Sequence, residues 1–231
     1  SMTKWIGGHG TSIGGIIIDG GNFDWTAIPD RQPFYNKPDA SYHGAIWGEV
    51  VPQIFGVQIA FAIRARVVML RDLGSAIAPQ NSFNLIQGLE TLPLRVKQHN
   101  SNAEKIADFL KDHNEVTKIT YPKFAEENNK KNTKKYLNGN YGAMIGIELK
   151  NGVEAGKAFI DELKLHYHVA NIGDARSLAI HPASTTHSQL NEEEQLKAGV
   201  TPGYVRLCVG LEHIDDIIED LKLGLDAASK V

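Results

Sequence analysis

Lys4 has the clearest chemical potential in this chain. Hydroxyl residues, Ser1 and Thr3, stand on one side of it. Apolar Trp5 and Ile6 and the run Gly7-Gly8-His9-Gly10 stand on the other. A deprotonated amine condenses with an aldehyde, and burial beside apolar side chains lowers an amine's pKa. Hydroxyls are donors that a phosphate can use, and glycines let backbone approach a ligand closely. The same features also fit an exposed lysine in a flexible glycine-rich segment, and local sequence leaves both readings standing. Arg206, in Val205-Arg206-Leu207, carries a planar fork suited to a carboxylate or to an ordinary ion pair at a sheet edge. His166 and His168 would share one strand face, but no acid or cysteine stands at a matching spacing, so no metal site is expected. His181 and His187 read as loop-holding residues. Cys208 is the single cysteine, which excludes an internal disulfide and a cysteine-rich zinc site. Set between Leu207 and Val209, it reads as a buried thiol and not as a nucleophile.

The elements that must position these residues can be read from periodicity. Ile13–Asp19, rich in β-branched residues and bounded by glycines, reads as a short buried strand. Residues 22–52 carry four prolines among aromatics and read as an irregular loop with at most short helices. A helix is expected from Gln53 to Leu73, stopped by Gly74. Further helices are expected over about 82–91, from Pro93 to Lys111, over Val153–Leu165, in a short piece after Asn191, and over His213–Ala228. Strands are expected at Val116–Thr120, Tyr141–Leu149, His166–Ala170, Ser177–His181 and Val205–Val209. Residues 123–140 read as a polar segment whose lysines form a solvated face. Alternating strands and helices give an α/β class. Residues 86–231 count as a small self-contained domain, whereas 1–85 hold too few elements for a core of their own. A length of 231 residues and a formal charge of −3 are ordinary for a globular chain. Without a basic excess, a nucleic-acid partner is not expected, and no apolar run is long enough to suggest a membrane span.

Four ordered segments resemble one family. Ser1-Met2-Thr3-Lys4-Trp5-Ile6-Gly7-Gly8-His9 resembles the pyridoxal-phosphate lysine signature of the Cys/Met-metabolism transsulfuration enzymes. Pro79–Phe83 through Gly88–Leu92, Ser177–His187 and Val205–Glu212 agree with it in order and spacing, so the resemblance covers essentially the whole chain. Ser41-Tyr42-His43-Gly44 and Asn171-Ile172-Gly173-Asp174 are most similar to the O-acetylhomoserine sulfhydrylase branch.

The resemblance implies an α/β chain of PLP-dependent transferase fold type I, the aspartate aminotransferase-like fold. Residues 1–85 would end the large cofactor-binding domain, and 86–231 would form the complete small C-terminal domain. It implies pyridoxal 5'-phosphate as cofactor. Lys4 would hold it and serve as the base, Ser1 and Thr3 would donate to its phosphate, Arg206 would clamp the substrate α-carboxylate, and Asn171 would sit beside that carboxylate. The implied reaction is γ-replacement in methionine biosynthesis, converting O-acetyl-L-homoserine and sulfide to L-homocysteine and acetate. Methionine or cystathionine γ-lyase, cystathionine γ-synthase, and a non-catalytic fragment or regulatory subunit are the alternatives. It further implies a cytoplasmic homotetramer. The glycine-dense opening, with Ser1 before Met2, resembles the middle of such an enzyme. The expectation is therefore that a separate or cleaved N-terminal part of the same enzyme acts as partner.

Overall fold

The computed structural model describes all 231 residues, which divide into two compact units: residues 1–13 with 83–231, and residues 14–82. In the smaller unit, α1 (Pro33–Asn36), α2 (Trp47–Phe55) and α3 (Ala60–Arg64) gather a few apolar side chains. A π-helical turn, Ala65–Leu70, and α4 (Arg71–Leu73) extend α3. Tyr35, Trp47, Val51, Ala60 and Val68 are its buried residues, and Trp25 stacks on Tyr35 at 4.2 Å. The single helix expected over 53–73 is thus broken. Gly56 takes the left-handed conformation and ends α2 early, while Gly74 ends α4 as expected. The expected strand at Ile13–Asp19 is also absent. Its isoleucines are exposed and no strand pairs with them, because β-branched propensity does not itself supply a ladder of partners.

The larger unit is built on a five-stranded mixed sheet. Its elements run α5 (Pro79–Glu90, of which residues 83–90 belong to this unit), α6 (Leu92–Lys111), β1 (Val116–Thr120), α7 (Glu127–Leu137), β2 (Met144–Leu149) and α8 (Gly152–Glu162). Then come β3 (Tyr167–His168), β4 (Leu178–Ile180), α9 (Glu192–Lys197), β5 (Tyr204–Cys208) and α10 (Ile214–Ala228). The strand order is β1-β2-β5-β4-β3, antiparallel except for the β3–β4 pair. α5 begins at Pro79 itself, three residues before the expected start, since proline lacks only an N–H that a first helical turn leaves unused. The polar segment contains α7, which buries none of its side chains.

Period-two alternation decides which way the central strands point. Ile145 and Ile147 of β2 pair with Leu207 and Val205 of β5, and all four are at most 1% exposed in one core. Ile106, Leu110, Phe159, Ile217, Leu221 and Leu225 of α6, α8 and α10 cover that face. Arg206 and Cys208, one residue out of phase with Val205 and Leu207, therefore project from the opposite face of β5. Asp220 of α10 fixes the chain between α8 and β3. Its carboxylate accepts from the backbone N–H of Lys164, Leu165 and His166 at 2.6, 2.9 and 2.9 Å, and from His166 Nδ1 at 2.7 Å. Burial raises the Asp220 pKa, but these donors outweigh it and hold the carboxyl well below its usual range.

Candidate active site

Lys4 sits in a tight turn closed by Gly7 N–H to Met2 O at 2.8 Å and Gly8 N–H to Lys4 O at 2.7 Å. The lysine is half-buried and its Nζ makes no hydrogen bond or ion pair. Two groups grip the turn from outside. Ala175 N–H donates to Gly8 O at 2.8 Å. Arg95 of α6 donates from Nη1 to Trp5 O at 2.9 Å and from Nη2 to Ile6 O at 3.1 Å and Gly88 O at 2.6 Å. Its Nε donates to Thr91 Oγ1 at 3.2 Å. Burial pulls the Arg95 pKa down from the usual guanidinium value. The Trp5 indole meets the buried ring of His99 edge-on at 5.0 Å.

The loop carrying Asn171 packs directly on this turn. Gly173 has φ +72°, and a Cβ there would stand 2.7 Å from Trp5 N and 2.9 Å from the indole, so only glycine lets the two segments meet. Gly173 N–H donates to Cys208 Sγ at 3.1 Å. Cys208 is 1% exposed, and burial pushes its thiol up to about 11, which suits an acceptor for a loop amide and not a nucleophile. Asp174 is buried and accepts from Arg176 N, Nε and Nη2 at 3.0, 3.1 and 3.0 Å. Burial raises its pKa, but Arg176 outweighs that and holds the carboxyl below the usual range.

Arg206 reaches the same loop from β5. Nη2 donates to Ala170 O at 2.7 Å and grazes Asn171 O at 3.4 Å, while Nη1 and Nε make no hydrogen bond. The guanidinium is therefore oriented by backbone and keeps two donor groups for a ligand. No carboxylate side chain pairs with it, so the edge-strand ion pair that its sequence position also allowed is not formed. Asn171 is half-buried beside it, with no hydrogen bond from its side chain.

The structure thus gathers the Lys4 turn, the 170–174 loop and Arg206 through Trp5, Gly173 and Cys208. Thr3 lines a small hollow with Gly7, His9, Gly10, Thr11, Ser12 and Asn84; Ser1 is exposed and is not part of that lining. The histidines hold loops: His181 bridges Ser184 Oγ and Pro202 O at 2.8 and 2.7 Å, and His166 meets Asp220. Arg95, His99, Asp174, Arg176 and Asp220 were missed from the sequence. Arg95, His99 and Asp220 find partners far away along the chain, and an isolated polar residue on a helix reads as solvated, whereas Asp174 and Arg176 pair two residues apart in a loop whose burial the local sequence does not show.

An unpaired lysine amine on a glycine-rich turn, flanked by hydroxyls and joined through one loop to an arginine with free donors, is a donor set that fits an aldehyde cofactor bearing a phosphate. The model of the Cys/Met metabolism PLP-dependent enzyme family matches residues 1–226, and the chain belongs to that family. It is 54% identical over 229 residues to an O-acetyl-L-homoserine sulfhydrylase of Leptospira meyeri, covering 97% of this chain and 51% of that protein. It is 45% identical over 228 residues to a homocysteine synthase of Schizosaccharomyces pombe, covering 99% and 52%. A Campylobacter jejuni crystal structure described as an O-acetylhomoserine (thiol)-lyase with a pyridoxyl-lysine-monophosphate superposes with a TM-score of 0.84 at 41% identity. The match covers 98% of this chain and 52% of that one. The fold is therefore the α/β fold of the type I PLP-dependent enzymes. The chain spans about half the length of the curated relatives it matches.

Proposed function

We propose that this chain forms part of a PLP-dependent O-acetylhomoserine sulfhydrylase, acting in methionine biosynthesis. The reaction is γ-replacement: O-acetyl-L-homoserine and hydrogen sulfide give L-homocysteine and acetic acid. The observation that carries this reading is the joining of the Lys4 turn to the loop and strand of Arg206, in a chain 54% identical to an O-acetyl-L-homoserine sulfhydrylase. The lyase and cystathionine-synthase structures it also matches are 29% identical, a weaker likeness.

Bound pyridoxal phosphate supplies an electron sink for charge that develops on the substrate carbons. The chain's own residues orient and transfer protons. Lys4 Nζ holds the cofactor and then carries protons between substrate carbons. The Ser1 and Thr3 hydroxyls donate to the cofactor phosphate. Arg206, steadied by Ala170 O, turns Nη1 and Nε to the substrate α-carboxylate and so fixes the Cα–H bond for breaking. Asn171 borders the same carboxylate. Residues 1–85 complete the cofactor-binding domain and 86–231 form the small domain. The remainder of the enzyme, on the same or a separate polypeptide, supplies the other cofactor contacts. The assembly is a homotetramer in the cytoplasm.

The experiment is product identification by the intact protein with O-acetyl-L-homoserine and sulfide. Homocysteine and acetate in equal amounts are expected. Release of a 2-oxo acid and ammonia, or product only with cysteine as donor, would overturn the sulfhydrylase reading.

A further inference from the structure

α6 carries a polar stripe where a core-facing helix is expected to be apolar. Arg95, His99 and Asn102, at i, i+4 and i+7, are 6%, 0% and 1% exposed. All three reach carbonyls on other segments. Arg95 serves Trp5 and Ile6, the two residues after Lys4. His99 Nδ1 donates to Val209 O at 2.6 Å, and Asn102 Nδ2 donates to Gly210 O and Glu212 O at 3.1 and 2.9 Å. These last three carbonyls lie just beyond the strand that bears Arg206. One helix of 20 residues therefore holds the peptides just after the lysine and just after the arginine.

Arg95 is the costly member of the stripe. All four of its hydrogen bonds go to neutral oxygens, so its buried charge is balanced by dipoles and not by a carboxylate. An apolar side chain would fill the same space without removing a charge from water. A neutral amide or an ammonium could not serve three carbonyls with the planar geometry of a guanidinium fork. The fork provides one orientation for the peptide units after Lys4, and hence for the direction in which Lys4 leaves the turn. We infer that Arg95 is a positioning residue of this enzyme: it aims Lys4 at the cofactor aldehyde and holds it in register with Arg206. The inference rests on the reading of Lys4 as the cofactor-holding amine.

The test uses the intact protein and three variants: Arg95→Lys, Arg95→Gln and, as a control, Asp220→Asn, which perturbs the same unit away from the lysine turn. The readouts are thermal stability, kcat and KM, and the rate at which borohydride fixes pyridoxal phosphate to the Lys4 peptide. Folded Arg95 variants should lose about 10- to 100-fold in kcat with KM changed by less than about threefold, as small misplacements of a catalytic group do. They should also trap the cofactor on Lys4 about tenfold more slowly, with Arg95→Lys no better than partly restored. Asp220→Asn should trap at the wild-type rate even at a larger loss of stability. Arg95 variants that trap like wild type, or a control that slows equally, overturn the inference while leaving the Lys4 reading intact. Should neither Arg95 variant fold, Thr91→Ala releases one anchor of the guanidinium and should slow trapping in the same direction, and an unchanged rate overturns the proposal. A wild-type protein labelled on a lysine other than Lys4 overturns the underlying reading, and the inference with it.

Discussion

Replacing Gly173 by alanine tests the contact on which the site's geometry depends. The position has φ +72°, a region that costs a non-glycine residue about 1–2 kcal/mol. The new Cβ would also stand 2.7 Å from Trp5 N, a backbone atom that cannot rotate away. Overpacking of this kind costs roughly 1–3 kcal/mol, giving about 2–5 kcal/mol in all. The control is Gly142→Ala. That residue has a similar φ of +77° with nothing within 4 Å of its added Cβ, so about 1–2 kcal/mol is expected there. The difference between the two isolates the packing of the 170–174 loop on the lysine turn. Chemical denaturation of both variants measures it, and steady-state kinetics measure the functional consequence. Relief of the clash must move either the turn or the loop whose carbonyls orient Arg206, so Gly173→Ala should raise KM and lower kcat. Gly142→Ala should leave both unchanged. Equal destabilisation of the two, with normal kinetics in both, would show that Gly173 does not join the lysine turn to the arginine.

Asp220→Asn should destabilise the larger unit by about 3–5 kcal/mol near neutral pH, because it strips the charge from a buried acceptor of four donors. The folded Asp220 pKa lies below the unfolded value of about 3.9. Its contribution is therefore fully present above that pH and is lost as pH falls toward the folded value. The deficit of Asp220→Asn should shrink in acid, and denaturation measured at stepped pH would contradict the sign if it grew. Arg206→Lys should cost about 10- to 100-fold in kcat/KM, since an ammonium cannot both hold Ala170 O and present a planar pair of donors. Unchanged kinetics would reduce Arg206 to a structural role.

Strands whose alternation matches a two-sided sheet were legible in the sequence. Ile145 and Ile147 face the helices, and the phase of β5 that buries Val205 and Leu207 leaves Arg206 on the other side. Ile13–Asp19 has the composition of a strand, but a ladder needs a neighbour, and that is not encoded locally. α7 escaped because the helical period was sought in apolar residues, and this helix buries none. A motif picks out Lys4 and Arg206 as candidates, each with a physical reason for its residue type. It does not pick out the machinery that holds them. Arg95 lies 90 residues from Trp5, and His166 lies 54 from Asp220, so neither pair leaves a local pattern. A buried arginine at i of a polar stripe has the same sequence signature as a solvated one. Only its carbonyl partners distinguish them.

The central claim is that Lys4 holds the cofactor in a site completed by Arg206. Borohydride reduction of the purified, cofactor-loaded protein, with peptide mapping of the product, tests it most directly. A pyridoxyl adduct is expected on the peptide containing Lys4, lost in Lys4→Ala. An adduct on another lysine, such as Lys37 or Lys97, or an undiminished adduct in Lys4→Ala, would contradict it.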